Sequence, residues 1–144
     1  MPFAWTLNPY RGCTHGCHYC FARKYQSYLE LDAENEFSSV ILVKVNVADI
    51  LRRELKRPRW QGKLIGLGTA TDPYQPIEGH YRLTRQILET LIEHPSPVGL
   101  VTKGPMVVRD LDILARLSRL AACTVYMSVP TVDEEAGCGQ SPLP

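Results

Sequence analysis

The chain has 144 residues, 44% of them hydrophobic and 22% charged, and a formal net charge of +1. That length suits one domain with a buried core better than two, and the near-neutral balance provides no chain-wide field for nucleic acid. No apolar run reaches the ~18 residues of a membrane span, and the N-terminus lacks the charged-then-apolar layout of a secretory signal.

Taken in order, Phe3 to Tyr10 mixes aromatic and β-branched residues and ends at the turn signal Asn8-Pro9, which predicts a short strand. It delivers the chain into Cys13-x3-Cys17-x2-Cys20. Ala22 to Leu31 reads as a short helix or irregular turn, and Leu31 to Asn35 as polar loop. Val40 to Val45 is a β-branched run with strand character. Asn46 then stands where a helix cap belongs, with Val47, Ile50, Leu51 and Leu55 on one face and Pro58 as the stop. Arg52, Arg53, Lys56, Arg57 and Arg59 make this segment basic. The plain reading of such a run is a solvated helix face, and a phosphate contact is the rival.

Leu64 to Gly68 predicts a second short strand, followed by a turn-rich stretch from Thr69 to Pro76. Gly66 and Gly68 imply close backbone approach, to a neighbour or to a ligand. His80 to His94 has helical spacing at Leu83, Ile87, Leu88, Leu91 and Ile92. Val98 to Thr102 predicts a buried strand, Asp110 a cap for a helix facing inward at Leu111, Leu114, Leu117 and Ala121, and Cys123 to Val129 a last strand ending at Pro130. From Leu64 onward the rhythm is strand, loop, helix, strand at about 30 residues per unit, the length of a βαβ unit. It predicts a parallel sheet covered by helices, open or closed into a barrel. No glycine-rich phosphate-binding signature stands at a strand end, which disfavours the nucleotide-binding open sheets. The expected organisation is one core over residues 1–135 and an irregular tail over 136–144.

Five cysteines are an odd number, and three of them sit within eight residues at ligand spacing. That favours metal chemistry in a reducing compartment over disulfides, and the cytoplasm is the expected location. Cys123 falls in an apolar strand and reads as core; Cys138, in the tail, reads as a stray. The cluster leaves two centres open. Structural zinc commonly takes four ligands from two separated knuckles; here there is one knuckle, and a fourth ligand would have to come from His15 or His18 in the same tight loop. An iron–sulfur cluster usually takes four thiolates, so three leave one iron open to a small molecule.

The wording around the cysteines, Asn8-Pro9-Tyr10-Arg11-Gly12-Cys13-x-His15-x-Cys17-x-Tyr19-Cys20, resembles the cluster motif of the radical S-adenosylmethionine (SAM) enzymes. Val43-Lys44-Val45-Asn46, the stretch Gly68-Thr69-Ala70-Thr71-Asp72-Pro73-Tyr74-Gln75-Pro76, and Val101-Thr102-Lys103 extend the likeness. They point to the branch related to spore photoproduct lyase, the DNA repair photolyase-like proteins, and to an uncharacterised actinobacterial-type subgroup. The resemblance runs from Phe3 to Glu135. It implies an α/β fold, a partial (β/α) TIM-like barrel that is incomplete at its C-terminus, and a truncated chain whose own turnover is in question.

The resemblance also implies a [4Fe-4S] cluster on Cys13, Cys17 and Cys20, whose fourth iron is chelated by S-adenosyl-L-methionine. Reductive cleavage of SAM to a 5′-deoxyadenosyl radical acting on an unknown substrate would follow, with an electron donor such as flavodoxin or ferredoxin. Tyr19 matches an aromatic position near the adenine, Thr71 and Asp72 a Ser-Asp pair near the SAM methionine, Lys103 a lysine for its carboxylate, and Ser128 a position on the same rim. Spore photoproduct lyases carry a hydrogen-returning cysteine where this chain has Thr69, and a hydroxyl O–H is too strong to replace it. That lyase activity is therefore not expected. The rivals are a non-catalytic iron–sulfur or zinc-binding module and a nucleic-acid repair enzyme using the basic helix; no membrane partner is expected.

Overall fold

Short apolar runs separated by amphipathic segments give this chain an alternation of strands and helices. The computed structural model describes residues 3–17, 20, 22–24 and 36–129. The expectations for His18, Tyr19, most of the turn over 22–31, and the tail with Cys138 lie outside the described residues. In chain order the elements are β1 (Trp5–Leu7), β2 (Tyr10–Arg11), β3 (Leu42–Val43), α1 (Val47–Leu55), β4 (Ile65–Leu67), α2 (Glu78–Tyr81), α3 (Leu83–Glu93), β5 (Val98–Thr102), a 3₁₀ helix (Pro105–Asp110), α4 (Leu111–Leu120) and β6 (Cys123–Met127).

Strands β1, β4, β5 and β6 form one sheet in that order, every pair parallel. This is the α/β arrangement the rhythm predicts. Register puts Trp5, Ile65, Val98 and Cys123 on one face, with Leu7, Leu67 and Leu100 two residues on; alternation puts Gly66, Gly99 and Thr124 on the other. Helices α1, α3 and α4 bring Val47, Leu51 and Leu55, Ile87, Leu88 and Leu91, and Ile113, Leu114 and Leu117 to the same core as Ile65, Leu67, Val98 and Leu100. Each fully buried aliphatic side chain contributes about 1.5–3 kcal/mol relative to exposure. Cys123 packs against this core as a half-buried residue, in line with its sequence reading.

Several local expectations change. The run Val40 to Val45 contributes only two strand residues, which pair antiparallel with Tyr10 and Arg11 in a separate small sheet. Ile50 is 47% exposed, because it sits about 60° beyond the stripe of Val47, Leu51 and Leu55 on a helix turning ~100° per residue. The helix expected over His80–His94 is broken at Arg82, the one non-glycine residue with positive φ (55°) among those described. The cause is Glu78, whose buried carboxylate accepts from the backbone N–H groups of Thr84 and Arg85 at 3.0 and 3.3 Å and so caps α3 from the preceding turn. Neither Asn46 nor Asp110 makes a side-chain cap bond. Asp110 is instead drawn to the Tyr74 hydroxyl at 2.9 Å and the Arg85 guanidinium at 2.8 Å.

The paired glycines approach neighbours. A Cβ on Gly66 would lie 2.6 Å from the Phe3 ring, and one on Gly99 would meet the same ring at 2.6 Å. Gly68, at φ 82°, turns the chain against Pro73. The basic helix is largely ion-paired: Arg52 with Asp49 and Glu93, Arg57 and Arg59 with Glu54, all at partly or fully exposed positions. Such pairs are worth little to stability, and they fit the solvated-face reading.

Candidate functional site

The cysteine loop is shaped by backbone constraints. Gly12 has φ 84°, and a Cβ there would be 2.5 Å from the Val40 carbonyl oxygen. The Cys13 N–H donates to Phe37 at 2.8 Å, and the Gly16 N–H returns to Cys13 at 3.1 Å. Arg23 donates to the carbonyls of Cys17 and Gly16 at 2.9 and 2.6 Å while its guanidinium lies 5.0 Å from the Phe37 ring centre. The loop therefore folds over its own carbonyls rather than hanging free.

The stretch after β4 fastens this loop to the sheet. Ala70 N–H donates to Asn8 Oδ1 at 2.9 Å, and Thr71 Oγ1 to the Tyr10 carbonyl at 3.0 Å. The Gln75 side chain donates to the Gly12 carbonyl at 3.1 Å and accepts from the Thr14 N–H at 3.1 Å. Tyr10 donates its hydroxyl to Glu78, which also pairs with Arg109 at 2.8 Å. Burial raises the Tyr10 hydroxyl far above the ordinary tyrosine range, with Glu78 adding to it, so this donor stays protonated.

Cys13, Cys17 and Cys20 line one cavity of about 190 Å³, together with Thr71, Asp72, Lys103 and Ser128. The structure thus brings together, at the carboxyl ends of the sheet strands, all the expected site residues that it describes; Tyr19 is outside that set. A larger cavity of about 480 Å³ lies between β1 and α1, walled by Trp5, Leu7, Leu51 and Trp60. Its walls are mainly apolar and include none of the cysteines.

Asp72 is the electrostatic centre of the cavity wall. Its carboxylate accepts from Tyr74 N–H at 2.9 Å, Lys103 N–H at 2.8 Å and the Thr102 hydroxyl, and lies 3.2 Å from His15 Nε2. Burial pushes its pKa up, but the bonds from His15, Thr102, Lys103 and Tyr74 outweigh burial and hold it below the usual carboxylate value. Lys103 Nζ stands 2.8 Å from Cys17 Sγ. Burial pushes the Cys13 thiol up to about 11, so a metal taken up there must displace its proton.

Thr71 and Asp72 are more occupied by protein than a free binding pair would be: the threonine hydroxyl serves Tyr10, and the carboxylate braces β5 and His15. Residues beyond the expected set that shape the site are Thr102 and Gln75. The sequence signal for Gln75 was a lone amide between Pro73-Tyr74 and Pro76 in a stretch that folds inward. Thr102 offered only a strand-end hydroxyl beside Lys103.

Among the described residues, no three or more His, Cys, Asp or Glu side chains form a group able to hold a single metal ion. The donor set lining the cavity is nonetheless three thiols, the ligand chemistry of iron–sulfur centres, and those thiols could hold a multi-iron group there.

The radical SAM superfamily model matches residues 7–141. The chain belongs to the radical SAM superfamily. It is 42% identical over 135 residues to an uncharacterised protein of Mycobacterium tuberculosis, covering 94% of this chain and 40% of that protein. Over 119 residues it is 31% identical to an uncharacterised protein of Methanocaldococcus jannaschii, covering 81% of this chain and 41% of the relative. A protein of Acidianus two-tailed virus, also uncharacterised, is 26% identical over 135 residues. The chain therefore spans about 40% of the length of these curated relatives. No solved structure matches.

Proposed function

We propose that this chain carries the cluster- and SAM-binding site of a radical enzyme, with Cys13, Cys17 and Cys20 as ligands of a [4Fe-4S] cluster. The observation that carries the reading is the convergence of the three thiols with Thr71, Asp72, Lys103 and Ser128 on one cavity at the strand ends. When bound, the cluster supplies the electron that cleaves S-adenosylmethionine to methionine and a 5′-deoxyadenosyl radical. The cofactor brings that chemistry; the chain brings orientation and exclusion of water.

In this reading Lys103 leaves Cys17 and pairs with the carboxylate of the SAM methionine. Asp72, already held by four groups, provides fixed negative potential for the methionine ammonium, and Thr71 offers its remaining lone pair. Ser128 stands on the β6 side of the rim, and Tyr19 is assigned to the adenine by its place before the third cysteine. In this reading the parallel sheet is part of a (β/α) barrel. Within the superfamily the wording around Cys13 and Asp72 supports kinship with the spore photoproduct lyase-like branch, with Thr69 replacing the hydrogen-returning cysteine. The substrate is a different one, the electron donor is a flavodoxin- or ferredoxin-type protein, and the location is cytoplasmic. Among the described residues no helix is long and apolar enough to cross a membrane.

Anaerobic reconstitution with iron and sulfide tests the proposal. The expected product is a brown chain with close to four irons, and loss of a cysteine by Cys17→Ala removes most of that iron. Its reduced electron paramagnetic resonance (EPR) spectrum shifts on adding SAM, and Lys103→Met weakens that response about tenfold in SAM concentration, the loss of one charge-assisted bond. Iron uptake unaffected by Cys17→Ala would sink the assignment.

A further inference from the structure

The side chain of Gln75 is fully buried, an uncommon position for glutamine. Both ends of its carboxamide are used on a segment more than sixty positions away in the chain. Nε2 donates to the Gly12 carbonyl at 3.1 Å and Oε1 accepts from the Thr14 N–H at 3.1 Å. Those two groups belong to the peptide units immediately before and after Cys13. The amide orientation follows from the partners, since the reverse would set oxygen against oxygen and N–H against N–H.

The remaining backbone groups of Cys13 are fixed as well, its N–H to Phe37 and its carbonyl to Gly16, at 2.8 and 3.1 Å. Gln75 itself stands on the turn that carries Asp72: its N–H reaches the Asp72 carbonyl at 3.4 Å, and its own carbonyl accepts from Glu78 N–H at 2.9 Å. The carboxylate of Glu78 in turn takes the Tyr10 hydroxyl and Arg109. One short turn therefore carries Asp72 and grips Cys13, two residues on the wall of the same cavity.

We propose that Gln75 is a positioning residue that clamps both peptide groups of Cys13 and ties the cysteine loop to the Asp72 turn. Gln75 touches neither cluster nor SAM; it acts through Cys13. A clamp on both flanking peptide groups fixes the Cα–Cβ direction from which the Cys13 thiol projects, which a single hydrogen bond leaves free to pivot. The geometric statement stands on the contacts alone, while its consequence for chemistry rests on the cluster assignment above.

Three variants test it. Gln75→Met keeps the length and removes both bonds; Gln75→Glu keeps the acceptor for Thr14 and sets an oxygen against the Gly12 carbonyl. Thr90→Val, which removes a part-buried hydroxyl bond to Gln86 in α3 and the Arg52 contact at 3.4 Å, is a control for general destabilisation. In the reduced, cluster-free chain, capture of Cys13 by iodoacetamide is followed by mass spectrometry, with Cys123 as the internal reference. Gln75→Met, which loses both buried bonds, is expected to raise the Cys13 rate about tenfold relative to Cys123, Gln75→Glu to raise it as well, and Thr90→Val to leave the ratio unchanged. After anaerobic loading, the Gln75 variants are expected to give an altered EPR line shape with SAM, and Thr90→Val the wild-type spectrum.

An unchanged Cys13 to Cys123 ratio in both Gln75 variants overturns the clamp. So does an equal change in Thr90→Val. If the wild-type chain takes up no iron, the cluster assignment falls, and the thiol rates still decide for or against the clamp.

Discussion

Asp72 sits with two side chains and two backbone N–H groups around its carboxylate, and this crowding has a consequence that can be read by titration. Because its pKa is lowered on folding, the stability it contributes is fully present above the ordinary carboxylate value of about 3.9. That contribution is lost as pH falls through the lowered folded value. Asp72→Asn should cost about 2–3 kcal/mol at pH 7, the scale of a hydrogen bond to a charged group. The gap to wild type should narrow as pH falls below 4. Urea unfolding at pH 7 and pH 3 measures both, and a constant gap would assign the loss to shape rather than charge. At this scale the sequence reported residue types well and commitments poorly. The three cysteines, Asp72 and Lys103 were legible because spacing and motif wording carry them. That Thr71 spends its hydroxyl on Tyr10, and that Gln75 grips Cys13, depends on contacts about sixty residues apart, which no local pattern encodes.

Among the elements, the turn after β4 is the most constrained. Gly68 has φ 82°, and a Cβ there would lie 2.4 Å from Pro73 and 2.7 Å from the Val101 carbonyl. Gly62 has a similar φ of 64° with nothing near its missing Cβ. Gly62→Ala should therefore cost about 1 kcal/mol from backbone strain alone, and Gly68→Ala about 2–3 kcal/mol or more, because neighbours must also move. Denaturant midpoints of the two variants separate the terms; equal losses would show that the turn yields freely. Strand and helix cores were legible here from periodicity, as in α3, where Leu83, Ile87, Leu88 and Leu91 recur on one stripe. Breaks were not. The interruption at Arg82 comes from Glu78 capping α3, and the shortness of β3 from its partner among the described residues, the two-residue β2, both tertiary effects that override local propensity.

For the whole molecule, the sheet leaves β6 with one unpaired edge among the described residues, and its side chains are open to solvent: Val125 is 37% exposed, Tyr126 46% and Met127 49%. An apolar edge of this kind invites pairing with another chain. The 144-residue chain should self-associate as its concentration rises, and Met127→Lys should weaken that association about tenfold. Sedimentation velocity across a concentration series reads this directly; a monomer at all concentrations would refute it. The parallel order of the sheet was legible from the strand–helix rhythm, whereas the exposure of β6 was not, since its sequence reads as apolar as that of buried β5. The position of Phe3 bears on the same sheet from its opposite end. Its ring lies against Gly66 and Gly99 on the face away from the helices, leaving no space there for so much as a methyl group. That ring is a floor. The cavity at the thiols opens elsewhere, at the carboxyl ends of the strands beside Thr71, Asp72, Lys103 and Ser128. A smaller residue at position 3 would therefore leave a void against Gly66 and Gly99 and loosen the sheet without touching any thiol.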